Sequence, residues 1–212
     1  MYHDVIVAGF GGQGVLFAGN LLAQAGVEED YQVTFLPAYG VEMRGGTANC
    51  NVILSTEEIG SPVPDHPCSG LILNEASLDR FLPTLRTGGL LVYNRSLILG
   101  EKVGRSDIEI LPVPANEVAA EVGNAQLASL VILGAFVEWT GLVRKEVMPK
   151  AMEAMLSPKA VEKFLNQNLA ALEAGYAWGR EVRQKSGAGF AGIQVLQGTT
   201  RQVGSRKPDA SG

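Results

Sequence analysis

The chain has 212 residues, of which 46% are hydrophobic and 18% charged, a composition that suits one folded domain with a substantial core. Its formal net charge of -5 and the lack of any run of Lys and Arg argue against a nucleic-acid-binding surface, because phosphate backbones are bound by clustered basic residues. Two cysteines without CxxC spacing and two histidines far apart in sequence form no metal-site motif.

The N-terminal segment predicts no secretory signal, because no basic stretch precedes its first apolar residues. The longest apolar stretch, LASLVILGAFVEW from Leu127, is too short to span a bilayer and contains Glu138. We therefore expect a cytoplasmic protein without a membrane segment.

The first half of the chain alternates between strand and helix patterns. HDVIVAG predicts a buried strand, Val15 to Gly26 a helix, and YQVTFLPA from Tyr31 a second strand that Pro37 ends. Four more strands are predicted at NCNVILS, GLILNE, GGLLVYN and DIEILPVPA, with a helix at SLDRFLPTLR. This alternation indicates an α/β fold: an open, mostly parallel, Rossmann-like sheet with helices on both faces.

The second half, after Pro114, predicts helices only. They cover NEVAAEVG, NAQLASLVILGAFVEWTG, RKEVMPKAMEAML and a long run from Pro158 to about Lys185. This helical C-terminal part is expected to complete the cover of the sheet. Residues 1–185 are thus predicted to form one α/β domain, and residues 186–212, rich in Gly, Ser and Thr, a flexible tail.

A glycine-rich loop follows the first strand. GFGGQG satisfies G-x-G-x-x-G between a strand and a helix, where backbone N–H groups and the helix dipole meet a phosphate. An NAD site also needs an acid at the end of the second strand, and FLPAYG has none; Glu28, Glu29 and Asp30 precede that strand and are expected to solvate a turn. The glycines either only permit tight turning or contact an anion or cofactor, and their number favours contact.

A second loop follows the second strand and places Tyr39, Glu42 and Arg44 beside Gly45 and Gly46. Ligands of open α/β sheets bind at the carboxyl ends of strands, so this loop is expected beside the first. Arg44 is suited to clamp a phosphate or carboxylate; alternatively, Glu42 neutralises Arg44 and the loop is a self-contained ion pair. No Ser-His-Asp, paired-carboxylate or Walker motif occurs, so no catalytic residue is predicted.

Taken together, GFGGQGV, AYGVEMRGGTANCNVILS, IGSPV, LILNEASLDRF and GGLLVYN resemble the gamma subunit of 2-oxoacid:ferredoxin oxidoreductases, from Val5 to about Gly141. EMRGGTANC looks most like the 2-oxoglutarate branch; the pyruvate, 2-oxoisovalerate and indolepyruvate enzymes share the domain. The resemblance implies a subunit, inactive alone, of a complex that oxidatively decarboxylates a 2-oxoacid to an acyl-CoA and reduces ferredoxin. It implies alpha and beta subunits as partners, with a delta subunit as a further candidate.

The resemblance also implies that thiamine diphosphate, magnesium and iron–sulfur clusters sit on other subunits, while this domain accommodates coenzyme A as a substrate. Asn124, which opens a helix after EVG, is either a ligand contact or an ordinary helix cap. A non-catalytic scaffold whose loops form only a subunit interface ranks second, and an NAD-dependent dehydrogenase well behind. The contacts implied in the two loops are Gly11, Gly12, Gln13, Gly14, Tyr39, Glu42, Arg44, Gly45 and Gly46.

Overall fold

Six strands form one sheet in the computed structural model, which describes residues 1–39 and 46–186. Their order across the sheet is β2-β3-β1-β4-β5-β6. The predicted strands are all present, but the second does not end at Pro37 as expected: it continues to Tyr39, because an edge strand tolerates a residue without an N–H. The bounds are β1 Tyr2–Phe10, β2 Gln32–Tyr39, β3 Thr47–Ser55, β4 Ser69–Ile72, β5 Leu90–Asn94 and β6 Glu109–Val113.

The helices also match the predicted segments, and short 3-10 turns lie beside several of them. Within residues 1–39 and 46–186, no helix combines the length and the apolar character needed to cross a membrane. The predicted tail lies outside the described residues, except for Ser186, which ends the last helix. The helix bounds are α1 Val15–Val27, α2 Glu75–Phe81, α3 Ala115–Glu121, α4 Ala128–Thr140, α5 Met148–Met155 and α6 Pro158–Ser186.

Five of the six strands run in the same direction. β1, β4, β5 and β6 pair in parallel, whereas β3 is antiparallel to both β1 and β2. The mostly parallel sheet is therefore confirmed, with one departure from parallel pairing: β3, the next strand after β2 in the chain, runs antiparallel to it. A reversed neighbour needs only a short connection, whereas a parallel one needs a crossover.

The strand directions define two edges of the sheet. We call the edge where the five parallel strands end the carboxyl edge, and the opposite edge the amino edge. Both faces of the sheet are covered, because Val5 and Val7 pack into a core with α1, α4 and α6, while Ile6 and Ala8 pack into a second core beside α2. Burial on both faces explains why β1 is a continuous apolar run rather than an alternating one.

Candidate functional site

The first loop, residues 10–14, connects β1 to α1 at the carboxyl edge and is closed by its own hydrogen bonds. Gln13 N donates to Phe10 O at 3.1 Å, and Phe10 N donates to Gln13 Oε1 at 2.7 Å. The side chain of Gln13 therefore folds back onto the chain that enters the loop. Gly11 and Gly12 lie at the exposed outer turn.

Two of the loop glycines adopt a backbone conformation that favours glycine. Gly12 has φ 95° and Gly14 has φ 76°, both in the left-handed region. The conformation of Gly11 does not require glycine in this way, and a Cβ on it would approach only Gly46 O, at 3.8 Å. Tight turning thus accounts for Gly12 and Gly14 and leaves the exposed glycine at position 11 without a conformational reason.

The first loop contacts the end of the second loop, residues 40–46. Gly11 N donates to Gly46 O at 3.0 Å, and Gly46 directly precedes β3. Tyr39 ends β2 opposite Ala48. The predicted adjacency of the two loops is therefore confirmed. The contacts predicted for Glu42, Arg44 and Gly45 lie outside the described residues, so the choice between a ligand clamp and an internal ion pair stays open.

Two buried asparagines extend the polar network along the carboxyl edge, and the sequence analysis missed both. Asn74, just after β4, donates through Nδ2 to Gln13 Oε1 at 2.9 Å. Asn94, the last residue of β5, donates to Asn116 Oδ1 at 2.7 Å and accepts from Ala115 N at 3.3 Å. Each of these asparagines ends an apolar run, LILN or LLVYN. A polar residue at the end of a buried strand is the sequence signal that could have identified them.

A cleft of about 470 Å³ lies between the first loop and α2. Lys102 pairs with Glu75, and this pairing, with the nearby Asp79 and Glu101 carboxylates, raises the lysine pKa. Three carboxylates around one lysine make this side of the loop unfavourable for an anion. The residues that line the cleft are Phe10, Gln13, Asn74, Glu75, Ala76, Asp79 and Leu97.

The N-terminus of α1 faces α4 on the other side of the first loop. Among the described residues, no side chain caps α1 at Gly14. Ser129 of α4 lies so close that its Oγ would overlap a Cβ on Gly14. Asn124 accepts from Gln126 N at 3.0 Å and so caps the 3-10 turn that leads into α4. Asn124 is therefore a helix cap, and a ligand contact by the same side chain stays a prediction.

The acidic residues before β2 make ion pairs instead of only solvating a turn, as the sequence had led us to expect. Glu28 pairs with Lys150 at 2.6 Å, and Glu29 pairs with Arg144 at 3.2 Å. Lys150 belongs to α5, and Arg144 precedes it. These carboxylates tie the start of β2 to the α5 region at the amino edge, far from the ribose position of a dinucleotide site.

A buried polar cluster occupies the amino edge. His3 Nε2 lies 2.9 Å from Ser69 Oγ, and Cys68 N donates to Asp4 Oδ1 at 2.5 Å. Burial lowers the pKa of His3 to about 4 and raises the pKa of Cys68 to about 12. The imidazole is therefore neutral and the thiol protonated near pH 7, in contacts that join β1 to β4.

Comparison with protein families matches residues 4–178 to the family described as pyruvate ferredoxin/flavodoxin oxidoreductase. The chain is also similar to the ketoisovalerate oxidoreductase subunit VorA of Methanothermobacter thermautotrophicus, with 40% identity over 179 residues. That alignment covers 84% of this chain but 36% of the relative, so the chain spans about a third of the relative's length.

Two further similarities cover nearly whole proteins. The 2-oxoglutarate synthase subunit KorC of Methanocaldococcus jannaschii is 29% identical over 184 residues, which is 86% of this chain and 96% of KorC. The crystal structure of a keto/oxoacid ferredoxin oxidoreductase gamma subunit from Geobacter sulfurreducens PCA has a TM-score of 0.72 and 27% identity. That match covers 84% of this chain and 99% of the solved one, so the described fold corresponds to a complete chain there.

Proposed function

The chain belongs to the pyruvate ferredoxin/flavodoxin oxidoreductase family, and we propose that it acts as the gamma subunit of a 2-oxoacid:ferredoxin oxidoreductase. The near-complete coverage of the Geobacter gamma subunit and of KorC supports this role. In the proposed complex, alpha and beta subunits, with a delta subunit where present, surround this chain in the cytoplasm. The complex oxidatively decarboxylates a 2-oxoacid, forms an acyl-CoA and transfers the electrons to ferredoxin.

The identity of the 2-oxoacid is the finer part of the proposal. EMRGGTANC favours 2-oxoglutarate, and KorC is named for that substrate, while the 40% identical relative is named for ketoisovalerate. Steady-state rates of the purified complex with 2-oxoglutarate, 2-oxoisovalerate and pyruvate decide among them. A higher kcat/KM for 2-oxoglutarate supports 2-oxoglutarate as the substrate. A higher kcat/KM for 2-oxoisovalerate or pyruvate assigns that acid as the substrate instead.

The cofactors of the complex are assigned to its other subunits. Within the described part of the chain, no group of three His, Cys, Asp or Glu side chains is placed to hold a metal ion. Cys50 and Cys68 are both buried, and burial raises the pKa of each thiol to about 12, which opposes thiolate ligation. Thiamine diphosphate, when bound in the complex, supplies the stabilised carbanion, and this chain's residues only need to hold the acyl acceptor.

We assign the coenzyme A contact to the junction of the two loops. The hydrogen bond from Gly11 N to Gly46 O is the observation that carries this assignment, because it joins the glycine-rich turn to the segment that contains Arg44. A phosphate at this junction meets the N-terminus of α1, where the helix dipole favours negative charge. The proposed contacts are Gly11, Gly12 and Gly14 of the first loop, with Tyr39, Arg44, Gly45 and Gly46.

The experiment coexpresses the chain with its partner subunits and compares wild type with Arg44→Ala. Loss of a charge-assisted contact of about 1.5–3 kcal/mol should raise the KM for coenzyme A roughly tenfold to hundredfold. The KM for the 2-oxoacid should change little, because decarboxylation takes place at the thiamine. Steady-state kinetics with each substrate varied separately measures both values, and size-exclusion chromatography verifies that the complex is intact.

Glu42→Gln is the matched control for this experiment. If Arg44 only pairs with Glu42, both variants should weaken assembly alike and leave the coenzyme A dependence unchanged. That result contradicts the ligand role and favours the scaffold, whose loops serve as a subunit interface. A chain that remains a well-behaved monomer in the presence of all partner subunits contradicts both functions.

A further inference from the structure

The side chain of Gln13 is built into the framework of the first loop. Its Oε1 accepts hydrogen bonds from Phe10 N at 2.7 Å and from Asn74 Nδ2 at 2.9 Å. These donors come from the end of β1 and from the residue before α2, and Asn74 lies 61 residues away in sequence. One amide oxygen therefore joins the loop to the carboxyl end of β4.

The orientation of both amides follows from their partners. Asn74 Oδ1 caps α2 by accepting from Ser77 N at 2.9 Å, so the group that Asn74 turns toward Gln13 is its NH₂ donor. The N–H of Phe10 is a second donor at the same point, which requires the oxygen of Gln13 there. Asn74 is only 4% exposed, so these amides satisfy one another with little help from solvent.

The backbone leaves room for this arrangement at Gly9. A Cβ on Gly9 would lie 2.7 Å from Gln13 Oε1 and 2.8 Å from Val15 Cγ2. The first glycine of GFGGQG therefore makes space for the folded-back Gln13 side chain, and the two residues depend on each other. The outer turn at Gly11 and Gly12 is left exposed.

We propose that Gln13 is a positioning residue of the coenzyme A site, with Asn74 as its support. Gln13 holds residues 10–14 in the shape that joins Gly11 to Gly46 and presents the exposed backbone of Gly12 to a phosphate. It acts through the loop instead of by contact with the ligand. The role of the loop in coenzyme A binding rests on the proposed function. The shape of the loop itself rests on the hydrogen bonds that Gln13 makes with Phe10 and Asn74, and on the space at Gly9.

The test uses the purified complex and two substitutions that remove the shared interaction from opposite sides. Gln13→Met keeps the size of the side chain but removes the acceptor, and Asn74→Ser keeps a cap for α2 but removes the amide donor. Asn20→Ser, at an exposed position of α1 outside this network, is the matched control. The measured quantities are kcat, the KM for each substrate and the amide hydrogen exchange of residues 10–14.

Gln13→Met should raise the KM for coenzyme A about tenfold, because the loop no longer holds its shape, while kcat and the KM for the 2-oxoacid stay within about twofold. Amide exchange at residues 10–14 should become faster in the same variant. Asn74→Ser should produce a smaller change in the same direction. The double variant should be no worse than Gln13→Met alone, because both substitutions act on one oxygen. Asn20→Ser should match wild type.

An unchanged KM for coenzyme A in the Gln13→Met complex overturns the positioning role. A raised KM with unchanged loop exchange also overturns it, since that result assigns Gln13 to direct contact. Failure of the proposed function gives a different result: Arg44→Ala then also leaves the KM for coenzyme A unchanged in an intact complex. In that case, faster amide exchange of residues 10–14 in Gln13→Met still supports the claim that Gln13 maintains the shape of the loop. Exchange equal to that of wild type overturns that claim.

Discussion

The two edges of the sheet use polar residues in opposite ways. The amino edge contains residue types that often perform chemistry, His3, Asp4 and Ser69, but they are buried and bonded to each other or to the backbone. The carboxyl edge presents exposed glycine backbone at Gly11 and Gly12, supported by buried amides. Residue types that often perform chemistry therefore serve here in structural contacts.

The difference follows from what each edge must satisfy. At the amino edge, an ionised histidine would be buried away from water, and burial keeps it neutral. At the carboxyl edge, neutral amides satisfy buried donors and acceptors without bringing in charge, so the network does not repel a charged ligand at the exposed turn. The variants below separate stability at one edge from ligand binding at the other.

The largest expected effect is the pH dependence contributed by His3. Its pKa is about 4 in the folded chain, against 6.5 for a histidine exposed to water, so acidification protonates the unfolded chain first. The free energy of unfolding should therefore fall by about 3 kcal/mol between pH 6.5 and pH 4, and this contribution should be constant above that range. Urea unfolding of wild type and His3→Gln across this range measures it.

Comparison with His3→Gln separates the contribution of His3 to the pH dependence from that of the carboxylates, because glutamine stays neutral throughout the range. The stability difference between wild type and His3→Gln should shrink as the pH falls, while the KM for coenzyme A of the complex stays at its wild-type value. Parallel pH profiles for the two proteins would refute the buried neutral state of His3.

A smaller effect is expected from Asn94→Ala at the carboxyl edge. The substitution removes the partners of Ala115 N, Ser96 N and the Asn116 amide, and should lower the free energy of unfolding by about 2 kcal/mol. Chemical denaturation measures the change, with Asn166→Ala on the exposed side of α6 as a control expected within about 0.5 kcal/mol of wild type. A loss as small as that of the control would show that these amides contribute little.

The smallest effect is expected from Asn124→Ala. Loss of the cap of a 3-10 turn should lower the free energy of unfolding by about 1 kcal/mol or less. Asn124→Ser should retain most of that stability, because serine also caps. The KM for coenzyme A should be unchanged in both variants, as measured on the intact complex. A raised KM in Asn124→Ser, with stability restored, would instead assign Asn124 to the ligand and extend the carboxyl-edge site to α4.

Local sequence patterns were enough to predict the strands, the helices and the class of fold. Apolar runs such as HDVIVAG and GGLLVYN are buried on both faces, and this burial leaves a local pattern in composition that needs no knowledge of distant residues. The placement of the two loops at one edge also followed, because the carboxyl ends of parallel strands must lie together.

Contacts between residues distant in sequence could not be predicted, because they depend on how the elements pack. The reversal of β3 depends on its neighbours in the sheet, and the pairing of Glu28 with Lys150 depends on where α5 packs. The role of Gln13 depends on Asn74, 61 residues further along the chain, whose amide reaches it only after β1 and β4 have paired. A hydrogen bond between side chains requires both ends within about 3 Å, and no local periodicity encodes that distance.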